Sequence, residues 1–202
     1  MGVYKLSTAG GLKTPRTNYS SFLAGNAAVT FTSYESIATV SVGSGGVADV
    51  TFNSIPATYT HLQIRGIGRS NRAANFDTLR LQANSDTASN YATHGLYGDG
   101  SSAASFAEVP QAFMQFYRIG GANAGANTFG AICIDILDYA NTNKFKTARS
   151  IGGADNNGSG EIYLVSGLWR STSAITSLKL SPGVGTNFLQ YSQFALYGIK
   201  GA

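Results

Sequence analysis

Apolar and polar residues alternate in short stretches along most of the chain from residue 34 onward. In residues 38–42, alanine and valine alternate with threonine and serine, and residues 48–52 repeat the pattern after a glycine-rich stretch. Because successive side chains of a strand point to opposite faces, such alternation predicts strands with one buried face. We predict that these two strands form a hairpin closed by the glycines at 43–46.

The second half of the chain carries the strongest strand signals. Ile132, Ile134 and Ile136 form one aliphatic face within residues 129–137, which predicts a strand at the centre of a sheet. Residues 161–169 carry apolar side chains on both faces of the predicted strand. Further strands are predicted at residues 61–65, 79–83, 113–119, 145–151, 175–180 and 188–199.

Polar and glycine-rich stretches separate these segments. Residues 84–111 contain only scattered aromatic residues, so we predict long loops there, and we predict a turn at residues 152–160. About nine or ten short strands without a helical period predict an all-β fold. We expect residues 34–202 to form an antiparallel two-sheet β-sandwich, specifically a jelly roll.

Residues 1–33 differ from the rest because no period of 2 or 3.6 persists there. Serine, threonine, glycine and asparagine dominate, and Pro15 interrupts the stretch. A disordered tail is one interpretation, but the spaced apolar residues are typical of an extended arm that docks on a neighbour, where burial offsets the entropy of ordering. We expect attachment through Tyr4, Leu12, Arg16, Tyr19, Phe22 and Leu23.

Composition and charge narrow the function classes. Charged residues make up 12% of the chain, about half of their usual share of roughly 25%. The net charge of +4 is spread from Lys5 to Lys200 rather than concentrated, so we expect no nucleic-acid partner. The chain has no run of about 20 apolar residues, so we expect no membrane insertion. The N-terminus also lacks the apolar stretch of a secretory signal.

Residues that could carry out chemistry are few. The only histidines are His61 and His94, and His61 falls on the polar face of a predicted strand, where we expect a surface residue. The single cysteine, Cys133, lies among aliphatic residues, and we interpret it as a small buried hydrophobic residue. Nucleophile elbows, phosphate-binding loops and zinc motifs are absent from the sequence. We therefore predict no catalytic residues, no metal, no cofactor and no enzyme activity.

Two acidic features need a structural interpretation. Asp135 and Asp138 point to opposite faces of a strand, so they cannot share a proton, and we expect Asp135 to pair with an arginine of this chain or of another subunit. Residues 155–161 partly match a calcium loop, but Ser166 stands at the twelfth position, where glutamate belongs. A hairpin turn is the favoured interpretation, because asparagine and glycine tolerate positive φ.

Eleven tyrosines, eleven phenylalanines and one tryptophan admit two interpretations. Aromatic rings stack on sugars, and a surface-glycan contact would use Tyr91, His94, Tyr97 and Asp99. The favoured alternative is that most aromatic residues fill the sandwich or pack subunits together.

Three stretches carry a resemblance to a known group of proteins. They are residues 8–19 (TAGGLKTPRTNY), 54–65 (SIPATYTHLQIR) and 194–200 (FALYGIK). Together they resemble small virion structural proteins of tailed bacteriophages, notably phages of cyanobacteria and marine bacteria, often described as tail-fibre or structural proteins. The resemblance reaches both ends of the chain, whereas residues 84–111 match no pattern.

The resemblance implies a non-catalytic particle component, expected to be a homotrimer located in the virion and assembled in the host cytoplasm. Its sandwich would face outward, and the N-terminal arm would bind other virion proteins. A tail-fibre or baseplate appendage that contacts a host-surface glycan is the favoured placement. A capsid decoration protein is the first alternative, and a free carbohydrate-binding module is the second.

Overall fold

A computed structural model describes residues 33–201, which form twelve β-strands. The strands are β1 (Tyr34–Ser41), β2 (Val50–Phe52), β3 (His61–Gly68), β4 (Phe76–Ala83), β5 (Tyr91–Gly98), β6 (Ala103–Gln111), β7 (Met114–Gly120), β8 (Gly130–Leu137), β9 (Lys146–Asp155), β10 (Gly160–Trp169), β11 (Leu178–Pro182) and β12 (Gln193–Ile199). The predicted arm, residues 1–33, lies outside the described residues except for Ser33.

The strands make two sheets in which all neighbouring strands are antiparallel. The larger sheet has eight strands in the order β1-β12-β3-β8-β9-β10-β5-β6, and the smaller has four in the order β2-β11-β4-β7. Each sheet turns one apolar face toward the other, as two packed layers require. The predicted antiparallel two-sheet sandwich is therefore confirmed, and the jelly roll stays a prediction.

The core lies between the sheets and is built from the alternating positions of the strands. Ile134 and Ile136 of β8 are fully buried, and β8 lies between β3 and β9, so the central strand predicted at residues 129–137 is confirmed. Leu79, Leu81 and Phe116 contribute equally buried side chains from the smaller sheet. Burial of such aliphatic side chains is the main stabilising contribution in a fold of this kind.

The hairpin predicted across residues 38–52 is wrong. Strand β1 pairs with β12 in the larger sheet, whereas β2 pairs with β11 in the smaller one. The intervening glycines carry the chain from one sheet to the other, and Gly46 has a φ of 66° close to the carbonyl of Phe188. Alternation gave each strand a buried face, but it does not specify which strand pairs with which.

The long loops predicted at residues 84–111 are also wrong, because β5 and β6 form a hairpin at one edge of the larger sheet. Small residues conceal the alternation there. A Cβ at Gly95 would lie 2.4 Å from the Phe106 ring, so this position requires glycine. The inner face of β5 carries only Thr93 and Gly95 between Tyr91 and Tyr97. No apolar side chain therefore marks the strand between the two tyrosines.

Stacked aromatic rings pack beneath the β5–β6 end of the larger sheet. Tyr163 stacks on Tyr97 and Tyr117, with ring centroids 5.0 and 4.6 Å apart, and Phe106 packs edge-on against Tyr117. Burial raises the pKa of Tyr117 to about 12. The predicted role of most aromatic residues in filling the sandwich agrees with this cluster.

Candidate interaction surface

The outer face of the larger sheet, which points away from the smaller sheet, presents side chains in ordered rows. The strand register fixes which residues stand side by side. One row contains Arg65, Cys133, Ile151, Leu164 and Leu96. The next row contains Ile67, Ala131, Gly153, Ile162 and Gly98.

Five large aliphatic side chains on these two rows are exposed, and we call them the apolar band. Their exposed fractions lie between 47% and 59%, and they are Ile67, Leu96, Ile151, Ile162 and Leu164. Monomeric proteins seldom expose a contiguous apolar patch larger than a few hundred Å², and larger patches mark interaction sites. The band explains why residues 161–169 are apolar on both faces: one face lines the core and the other forms part of the band.

A polar row borders the apolar band. It consists of Gln63, Asp135, Arg149, Ser166 and His94. Asp135 accepts hydrogen bonds from Gln63 at 2.7 Å and from Arg149 at 3.2 Å. The expectation that Asp135 pairs with an arginine of this chain is confirmed. An apolar centre with a polar border is the usual anatomy of a protein interface.

An open groove of about 1190 Å³ follows the outer face at the end of the sheet where the apolar band lies. Its charged lining residues are Arg65, Asp99, Asp155 and Glu161. Small-molecule sites usually measure about 300–1,000 Å³ and enclose most of the ligand. A large open groove along a sheet is suited instead to an extended polypeptide.

The acidic residues of the groove accept hydrogen bonds or ion pairs from neighbouring groups. Asp99, on the turn between β5 and β6, accepts hydrogen bonds from the backbone N–H groups of Ser101 and Ser102 at 2.9 and 2.7 Å, which lower its pKa to about 2. Asp155 accepts the backbone N–H of Asn157 at 2.8 Å. Glu161 forms a salt bridge at 2.6 Å with Arg118, which does not line the groove.

Cys133 lies on the floor of this groove and is half-buried. Burial raises the pKa of its thiol, and the neighbouring Asp135 carboxylate adds to the effect. The sequence interpretation as a buried hydrophobe is therefore only partly right, because the side chain faces outward next to the apolar band.

The four residues named for glycan contact do not form one surface. Tyr91 is fully buried, and its hydroxyl group hydrogen-bonds the backbone of Ala83, so its assignment to a surface contact is wrong. Tyr97 stacks on Tyr163 on the inner side of the sheet. His94 is exposed on the outer face, and Asp99 is exposed at the β5–β6 turn. The alternation of β5 separates Tyr97 from His94, which a sequence interpretation as loop could not reveal.

The remaining candidates for chemistry have structural partners. His61 is half-buried rather than a plain surface residue, and its Nδ1 accepts the backbone N–H of Asp138 at 3.0 Å. The Lys144 ammonium group binds the Asp138 carboxylate at 2.6 Å and lowers the pKa of Asp138. The interpretation of residues 155–161 as a hairpin turn is confirmed for residues 156–159, which connect β9 to β10, whereas residues 152–155, predicted as part of the turn, belong to β9.

Two buried polar residues were missed by sequence reasoning. Lys146 is fully buried, and its ammonium group donates to the carbonyls of Asn141, Lys144 and Thr172 at 2.6, 2.8 and 3.1 Å. Asp77 is fully buried and accepts hydrogen bonds from Ser70 and from backbone N–H groups. The signal for Lys146 was present, since alternation places it on the same face as the small residue Ala148.

Among residues 33–201 no three or more histidine, cysteine or acidic side chains come close enough together to hold a metal ion. Within the same residues, no helix has the length and apolar character needed to cross a membrane. No protein-family model, no curated protein and no solved structure matches this chain.

Proposed function

We propose that this protein is a non-catalytic structural subunit of a tailed bacteriophage particle, used as a tail-fibre or baseplate appendage that presents its sandwich to the host surface. The observation that carries the proposal is the apolar band. A subunit built into a particle needs an apolar surface for contacts with its neighbours, whereas a monomer would carry polar residues there. The three stretches that resemble phage structural proteins supply the context of a virion assembled in the host cytoplasm.

Self-association is the second part of the proposal, with a homotrimer as the assembly. Covering the five side chains of the apolar band would remove several half-exposed isoleucines and leucines from water in every subunit. The polar row beside the band carries charges of both signs, Asp135 and Arg149, so copies meet without net repulsion. The N-terminal arm, residues 1–33, then joins the subunit to its neighbours in the particle.

We also propose that the sandwich is a jelly roll enlarged by two hairpins. The support comes from strand order: β1-β12-β3-β8 in the larger sheet faces β2-β11-β4-β7 in the smaller one. When β5, β6, β9 and β10 are set aside, each strand lies in the other sheet from the strand before it, except that β4 and β7 share the smaller sheet. This alternation is what two Greek keys produce in an eight-stranded jelly roll. The β5–β6 hairpin and the strands β9 and β10 extend the larger sheet beyond β8.

Association in solution is tested with the full chain and two matched variants. Leu164→Asp places a charge in the apolar band, whereas Val184→Asp places one at an equally exposed apolar residue outside it. We expect a trimeric sedimentation mass for the wild type and for Val184→Asp, and a monomeric mass for Leu164→Asp. A monomeric wild type would contradict the proposed assembly.

Location in a particle is tested on phage purified from cultures that produce the chain. An antibody against the chain should label the tail, at a copy number of tens or fewer per particle. Hundreds of copies on the head would favour the capsid decoration alternative. Glycan binding by a monomer that is absent from particles would favour the carbohydrate-binding module, and that outcome would refute the phage proposal. Adsorption of the purified protein to host cells checks the appendage role.

A further inference from the structure

We propose that the N-terminal segment of one copy, residues 1–32, lies in the outer-face groove of a second copy and covers its apolar band. This inference rests on the proposed self-association and specifies the two surfaces that meet. The occupant is thus a segment of the same chain contributed by a neighbour, rather than a second sandwich or an unrelated protein.

The direction of β1 favours a neighbouring copy as the receiver. Tyr34 pairs with Ile199, and Ile199 pairs with His61, so β1 begins at the row of His61. Along β3 that row lies four residues from Arg65 and six from Ile67, or about 14 and 20 Å at ~3.4 Å per residue. The Tyr34 ring stacks on Tyr197, which lines the groove, with ring centroids 4.8 Å apart. Because β1 runs from there toward the band, a segment that covered the band of its own copy would have to reverse direction at Tyr34.

The length of the segment is sufficient for such a contact. Thirty-two residues precede Ser33, and an extended chain of that length spans up to about 105 Å. The larger sheet, with strands about 4.8 Å apart, is only about 34 Å from its first to its eighth strand. A segment of this length is therefore long enough to reach a neighbouring sandwich and to extend across its larger sheet.

The chemistry of the segment complements the groove. Its charged residues are Lys5, Lys13 and Arg16, and it contains no aspartate or glutamate. The groove is lined by three carboxylates and one guanidinium group. One of the carboxylates, Glu161, is already paired, but the other two keep an excess of negative charge. The spaced apolar residues of the segment would contact the apolar band, and the basic residues would face the acidic turns.

Area and symmetry support the same occupant. A stable interface buries about 800 Å² on each partner, and the five half-exposed side chains of the apolar band fall short of that area on their own. An extended segment along the whole groove adds contact area on both sides of the band. A cyclic trimer also needs a contact between two different surfaces, and a segment bound in a groove provides one. Two bands packed face to face would give a twofold dimer instead.

Cysteine cross-linking in the full chain tests the proposal, because Cys133 is the only cysteine and lies in the groove. One set of chains carries Cys133→Ser together with a cysteine at Ser7, Thr14, Ser20 or Asn26 in turn, so the apolar anchors stay intact. Each is mixed with a mass-tagged wild-type chain, equilibrated under reducing conditions and then oxidised with oxidised glutathione. The reaction is run at pH 9, because the pKa of the Cys133 thiol is raised.

We expect a disulfide between the segment cysteine of one chain and Cys133 of the tagged chain, at least tenfold above a Val184→Cys, Cys133→Ser control. Ile162→Asp in the tagged chain should abolish the product, and Val184→Asp in that chain should not. Raised salt should slow the reaction, since opposite charges assist docking.

Three results would overturn the inference. A chain that carries both cysteines and forms only an internal disulfide would place the segment on its own sandwich. A wild-type chain linked mainly through Cys133 to Cys133 would place a second sandwich on the band. Cross-linking no higher than in the control would mean that another partner, and not the N-terminal segment, binds in the groove. If the wild type sediments as a trimer while cross-linking fails, this inference fails and the proposed assembly stands, whereas a monomeric wild type refutes both.

Discussion

Leu164 and Val165 are consecutive residues of β10 that face opposite sides of the larger sheet, so substituting each separates assembly from folding. Leu164 belongs to the apolar band and is 57% exposed, whereas Val165 lies in the core and is 1% exposed. Replacing either by alanine removes only methyl or methylene groups and adds no polar atom. The two variants therefore differ mainly in which face loses its contacts.

The expected magnitudes follow from the area that each side chain can still bury. Leucine exceeds alanine by three carbons, worth about 2.4 kcal/mol at ~0.8 kcal/mol each when fully buried. With 57% of Leu164 exposed in the monomer, assembly can recover about 1.4 kcal/mol, or a tenfold change in affinity. Three such contacts in a trimer give about a thousandfold change in the overall association constant.

The Val165→Ala variant should behave differently. It loses two buried carbons and leaves a cavity, so we expect a loss of about 2–3 kcal/mol in the free energy of unfolding. Association should change little at temperatures where the variant is folded.

Sedimentation equilibrium and denaturant titration measure the two quantities on the same samples. Leu164→Ala should reduce the association constant and shift the unfolding free energy of the dissociated monomer by less than about 0.5 kcal/mol, as is usual for surface substitutions. The reasoning is refuted if Leu164→Ala associates as strongly as the wild type, or if it destabilises the monomer as much as Val165→Ala does.

Three further predictions concern the fold. Lys146→Met should lower the free energy of unfolding by about 3 kcal/mol in a denaturant titration, because three carbonyls lose a buried charged donor. The pKa values of Tyr91 and Tyr117 are raised to about 12, so the folded state holds these protons more tightly than the unfolded state. Their contribution to stability is complete below pH 10 and is lost as the pH rises toward 12, by about 1.4 kcal/mol per pH unit for each group; unchanged stability over this range would contradict it. Gly95→Ala should lower the melting temperature, whereas Gly43→Ala, where a Cβ meets no atom within 4 Å, should not.

The sequence pattern predicted the fold class well because it reports burial. The isoleucines of residues 129–137 identified the central strand, and alternation in residues 61–65 identified part of β3. The same pattern could not predict that β1 pairs with β12, because strand partners are chosen by contacts between residues far apart in the chain. The proposed jelly-roll arrangement is likewise a matter of strand order.

The candidate surface was only partly visible in the sequence. The sequence showed apolar residues on both faces of residues 161–169, but the band exists only because the register aligns them with Ile67, Ile151 and Leu96. The glycan set was assigned to a loop, so the burial of Tyr91 could not be foreseen. Close packing hid the β5–β6 hairpin, since glycine and alanine occupy positions where a strand usually shows branched residues.

The position of β12 has a consequence for the synthesis of the protein. This strand lies between β1 and β3 and hydrogen-bonds with both, so the edge strand β1 stays separated from the rest of the larger sheet until residues 193–199 have left the ribosome. Copies interrupted earlier in translation would leave β1 without its partner strand, and we expect them to be sensitive to proteases. The order of the strands therefore delays completion of the larger sheet until β12 has been synthesised.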